Sequence, residues 1–127
     1  MRPPVQTIHI DPARKLVDVR LSGFFTVEDA GWTGEELRES ILALGPAVGE
    51  HVTLYDATDL SIAPNETVEA VKRMFAHPAV RPLWARKVAI VAKSALGRMQ
   101  LVRLREARAD IEIFDDREAA IAWLLGA

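Results

Sequence analysis

Short apolar runs alternate along this chain with amphipathic stretches, and the alternation predicts its elements. Val5–Ile10 and Leu16–Leu21 are rich in β-branched and aliphatic residues. In the second run Val17, Val19 and Leu21 alternate with Asp18, Arg20 and Ser22, a period of two that buries one face of a strand. Between the runs lies Asp11-Pro12-Ala13-Arg14; Pro12 presets a turn and Asp11 can bond the backbone beyond it, so an antiparallel hairpin is expected. Thr26, with Asp29 three residues on, is close to a capping box. Val27, Ala30, Gly31, Gly34, Leu37, Ile41 and Leu44 then share one helical stripe, which Gly45-Pro46 ends. Two glycines inside a helix cost about 1 kcal/mol each against alanine. Close approach of this helix to the sheet is the expected return.

Val52–Tyr55 is nearly all apolar, as a central strand covered on both faces requires. It runs into Asp56-Ala57-Thr58-Asp59-Leu60-Ser61, which reads as a loop. Pro64 suits the first turn of a following helix, where its missing N–H leaves nothing unpaired. Val68, Val71 and Phe75 give that helix a buried stripe with Met74 beside it, and His77-Pro78 ends it. A linker containing Leu83 and Trp84 leads to a strand at Lys87–Ala92. A helix from about Ala95 to Ala107 and a strand at Ile111–Phe114 follow. Asp115 and Asp116 compete to cap a last helix, Arg117–Leu125, with Glu118 completing a box to Asp115. The order β-β-α-β-α-β-α-β-α predicts one α/β domain over residues 1–127, with helices packed on a mainly parallel sheet whose first strand is antiparallel.

Composition narrows the function classes. Half of the 127 residues are apolar, about a quarter (27%) are charged, and the net charge is −2. Nucleic-acid binding domains are usually basic, so no nucleic-acid partner is expected. With no cysteine there is no thiolate chemistry or thiolate metal site. Met1-Arg2-Pro3-Pro4 leads into a strand without the apolar core of a signal peptide, and no apolar run approaches the roughly 20 residues of a membrane span. A cytoplasmic location is the expectation. There is no Gly-rich phosphate loop, nucleophile elbow or Walker lysine. His9, His51 and His77 are widely separated. Accordingly no catalytic residue, cofactor or metal ligand is assigned, and a non-enzyme is expected.

Four segments carry a resemblance to a known family. They are Trp84-Ala85-Arg86-Lys87-Val88-Ala89-Ile90-Val91, the Met99-bearing helix after it, Ala109-Asp110-Ile111-Glu112-Ile113-Phe114, and Glu118-Ala119-Ala120-Ile121-Ala122-Trp123-Leu124. With the element order, they make the chain resemble the SpoIIAA-like group of bacterial STAS-type domains, small stand-alone proteins. The resemblance implies a regulatory module acting through a protein partner or a homodimer. In the better-known members, anti-sigma-factor antagonists, it implies a phosphorylatable serine in an Asp-Ser-Ser-Gly-like turn after the central strand. Here that region reads Asp56-Ala57-Thr58-Asp59-Leu60-Ser61 and the motif is absent. Asp56, Thr58, Asp59 and Ser61 are therefore kept as a candidate switch or interaction loop. The group also resembles lipid-binding CRAL-TRIO domains in topology, which implies the alternative of a carrier or sensor of a small apolar ligand.

In parallel α/β sheets ligands bind outside the carboxyl ends of the strands. Asp56–Ser61, Ala92-Lys93-Ser94-Ala95 and Asp115-Asp116 converge there. Asp56, Lys93 and Asp115 would suit Mg²⁺ and a phosphate, but helix capping accounts for these acids more simply. Phe24, Phe25, Trp32, Phe75, Leu83 and Trp84 form a candidate apolar ligand or dimer surface. Arg98, Arg105 and Arg108 are expected on one helix face with Lys93 at its start, most simply as a solvated face.

Overall fold

The computed structural model describes residues 1–126. Strands β1 (Val5–Asp11) and β2 (Leu16–Gly23) form the expected hairpin. Asp11 closes its turn, its carboxylate accepting from the Arg14 N–H at 3.2 Å and from Arg14 Nε at 2.7 Å. Helix α1 (Val27–Leu42) follows, then strand β3 (Val52–Leu60) and helix α2 (Asn65–Ala76). Strand β4 (Lys87–Val91), helix α3 (Ala95–Val102), strand β5 (Glu112–Phe114) and helix α4 (Arg117–Leu125) complete the order. The five strands lie in the order β1-β2-β3-β4-β5; β1 is antiparallel to β2, and every later neighbour is parallel.

Consecutive parallel strands with right-handed crossovers place α1, α2 and α3 on one face of the sheet. On that face Ala57, Val88 and Ile90 meet Val68 of α2 and Leu104. Helix α4 covers the opposite face, where Ala120 and Leu124 pack on Leu16, Val52, Leu54, Ala89 and Val91. β3 and β4 are thus covered on both sides, as their unbroken apolar runs require.

Four expectations change. Asp56–Leu60 is strand rather than loop: Ser22 and Gly23 of β2 pair with Asp59 and Leu60, after a bulge between Arg20 and Ser22 shifts the register. At the bulge the Thr58 N–H still bonds locally, donating to Asp56 Oδ1 at 3.1 Å, while Asp59 and Leu60 join the ladder. The helix expected over Ala95–Ala107 tightens after Val102 into a 3-10 turn, Arg103–Glu106, which seats Leu104 in the core. Gly34 faces Met74 of α2, whose Sδ would lie 3.1 Å from an added Cβ, so the close approach is helix to helix and not helix to sheet. An added Cβ at Gly31 meets nothing within 4 Å. Finally, Asp116 alone caps α4, accepting from the Ala119 N–H at 2.9 Å. The capping box at Thr26 and Asp29 forms as written in the sequence.

Candidate functional site

A large space lies between the sheet and the helices on its α1–α3 face. Alternate residues Thr53, Tyr55 and Ala57 of β3, with Val88 and Ile90 of β4, form its floor. Leu37 and Ile41 of α1, Val68, Val71 and Phe75 of α2, Leu83, Trp84, Leu101 and Leu104 form its walls. Its volume is about 720 Å³, within the range of small-molecule sites. The space exists because small residues stand where a filled core would need large ones: Ala30, Gly31, Gly34, Ala63, Ala70 and Ala85 all line it.

Polar groups inside are few. The Tyr55 ring sits edge-on to Phe75, centroids 6.3 Å apart, and burial pushes its phenol up to about 12 even though the Arg108 charge pulls the other way. Thr67 Oγ1 donates to the Phe25 carbonyl at 3.1 Å. Trp84 donates from Nε1 to the Phe75 carbonyl and is flanked by the guanidinium groups of Arg81 and Arg108, 4.4 and 4.6 Å from its ring centroid. Arg108, 5% exposed, donates to the Ala85 carbonyl and to Asp110, both at 2.7 Å. The hydrogen bond from Arg108 holds the Asp110 carboxyl below its usual range.

Of the aromatic and apolar set read from the sequence, Phe25, Phe75, Leu83 and Trp84 line this cavity. Phe24 is half-buried outside it, and Trp32 is 68% exposed on α1. The expected stripe of Arg98, Arg105 and Arg108 does not form a solvated face. Arg108 is buried against Trp84, and Arg105 Nε donates to the Ile111 carbonyl at 2.7 Å. Sequence reasoning missed Tyr55 and Arg108 as cavity residues. The run of small residues on α1 was the available signal.

Near the carboxyl ends of β4 and β5 a different arrangement appears. Arg117, the first residue of α4, donates to Asp18 and, at 3.0 Å, to Asp56. Burial alone would raise the Asp56 carboxyl, but hydrogen bonds from the Thr58 hydroxyl and N–H and from Arg117 outweigh it and hold the group below its ordinary value. Thr58 Oγ1 donates to Asp56 Oδ1 at 2.6 Å, while Asp59 is exposed and Ser61 half-buried. Thr58, Ser61 and Lys93 border one small hollow; Asp115 is exposed and lies outside it. Among the described residues no three His, Cys, Asp or Glu side chains gather as a metal site would need. No described helix is long and apolar enough to cross a membrane.

The sequence pattern that defines the SpoIIAA-like family matches residues 16–125. The chain belongs to the SpoIIAA-like family. No curated protein matches it in sequence. Among solved structures, this SpoIIAA-like domain is similar to an uncharacterised protein with a SpoIIAA-like fold from Shewanella loihica. The two share 21% identity over 98% of this chain and 95% of the other, with a TM-score of 0.66. It is also similar to an anti-sigma factor antagonist from Mycobacterium paratuberculosis, at 11% identity over 98% and 96% of the two chains, with a TM-score of 0.64. At these identities the likeness is one of fold.

Proposed function

We propose that this SpoIIAA-like domain is a non-enzymatic binding module that holds a small apolar ligand between its helices and its sheet. The cavity of about 720 Å³ carries the reading. A protein interior normally fills such space, and an apolar hollow this large is a standing site for apolar surface to leave water. The strand-end carboxylates support the non-catalytic part, because Asp56 is committed to Arg117 and Thr58, and Asp116 to the cap of α4. Native mass spectrometry of gently purified protein tests the reading. A co-purifying apolar mass released on denaturation is expected; protein that is empty and takes up no added apolar compound overturns it.

A second reading, contact with a protein partner or a second copy of the chain, has its own observation. Helix α3 exposes Leu96 (67%), Met99 (68%) and Val102 (45%), and Ile62 (48%) is exposed nearby in the chain from Ser61. Isolated exposed apolar residues are ordinary, but a helical row of three marks an interaction surface. A name such as anti-sigma factor antagonist, borne by one structural neighbour, points toward a protein partner. Ser61 is the better-placed hydroxyl for a charge switch here, since Thr58 already donates to Asp56. A Leu96→Glu/Met99→Glu variant is expected to lose the partner in co-purification, or to become monomeric by light scattering if the partner is a second copy. Unchanged association removes this reading.

A further inference from the structure

Resting on the apolar-ligand reading, we propose that the ligand is an amphipathic carboxylate, fatty-acid-like, its apolar body in the cavity and its anionic head at the mouth between Arg38 and Arg73. The lining residues most exposed to solvent are Gly31, Glu35 and Arg38 on α1 and Arg73, His77 and Ala79 at the end of α2 and beyond, so the cavity opens there. Arg38 and Arg73 have no ion-pair partner among the described residues, although both stand at the edge of an apolar space. His77 Nδ1 accepts from the Ala79 N–H at 3.0 Å, which leaves Nε2 as its donor nitrogen. Glu35 is the one acid among the lining residues, so positive charge prevails at the rim.

Among the described residues the interior offers a charged head no free cation. Arg108 is neutralised by Asp110, and the Thr67 hydroxyl is given to Phe25. A carboxylate carried inside would lose its hydration with no free cation to meet it. At the mouth it keeps water and gains charge-assisted hydrogen bonds from guanidinium forks suited to a planar carboxylate. A neutral or cationic head gains nothing from those groups.

Titrations with dodecanoate, dodecanol and dodecyltrimethylammonium, read by tryptophan fluorescence because Trp84 lines the cavity, test this proposal. Dodecanoate is expected to bind about tenfold more tightly than dodecanol, and the cation more weakly than either. In an Arg38→Ala/Arg73→Ala variant that preference disappears while dodecanol affinity stays put, and an Arg38→Lys/Arg73→Lys variant keeps part of it. Equal affinities for dodecanoate and dodecanol in the unmodified protein, or a preference that survives the double alanine variant, overturns the head-group assignment and leaves the cavity reading standing. Failure of all three compounds to bind overturns both.

Discussion

At Gly23 the backbone decides what residue is allowed. Its φ is +87°, and an added Cβ would lie 1.9 Å from the Pro3 carbonyl oxygen. The contact follows from how the N-terminal segment is held: Phe24 N–H donates to the Arg2 carbonyl at 3.1 Å, and Ser61 N–H donates to the Gly23 carbonyl at 3.0 Å. Gly23→Ala must therefore pay for left-handed strain and also displace a neighbouring backbone. A loss of about 3 kcal/mol or more is expected in urea denaturation. Gly31→Ala is the opposite case. Its Cβ enters open space, so the variant is expected to gain up to about 1 kcal/mol from helix propensity. Gly34→Ala should fall between them, because the Met74 sulfur at 3.1 Å has to move.

Helix α4 shows how an element is fixed by charge as well as by its apolar face. A cation at a helix N-terminus is disfavoured by the dipole, yet Arg117 occupies the first position. Asp18 and Asp56, with side chains 11% and 12% exposed, offset that cost and leave Arg117 as their common counter-ion. Arg117→Gln leaves two largely buried carboxylates beside each other with no counter-ion. A loss of about 3 kcal/mol is expected by urea denaturation, the lower end of the cost of breaking a buried pair. Adding Asp18→Asn and Asp56→Asn should return most of it, since the neutral set carries no unpaired charge. This cluster also shows why the candidate loop was only partly legible. Period-two and period-3.6 patterns are local, and they placed the β-β-α-β-α-β-α-β-α order and the cap at Thr26. That Asp56–Leu60 continues as strand depends on Ser22 and Gly23 across a bulge, a pairing distant in sequence. The partnership of Asp18, Asp56 and Arg117 spans 99 residues and has no local signature.

The cavity is a property of the whole molecule, and for that reason it was the least legible feature. Small residues on α1 are visible in the sequence, but that they face Ala63, Ala70 and Ala85 across one space depends on the packing of two helices on the sheet. Two titratable groups flank that packing, and both feel the Arg108 charge. Burial lowers the His51 pKa from 6.5, and Nδ1 accepts from the Gly49 N–H at 3.1 Å, so the folded protein keeps the ring neutral. The unfolded chain then binds the proton more readily, and stability is lost as pH falls below 6.5 toward the lowered folded value. Tyr55, the chain's single tyrosine, is raised from 10.0 to about 12; its contribution is complete below 10 and is lost as pH climbs toward 12. Asp56, held below 3.8, adds its own loss only at more acid pH. Urea denaturation across pH should therefore show a plateau from near neutrality to about pH 10, with a shoulder on each side. His51→Asn is expected to flatten the first acid shoulder and Tyr55→Phe the alkaline one. Tyrosinate absorbance that rises near pH 10 while the protein is still folded would show that burial does not hold the Tyr55 hydroxyl protonated.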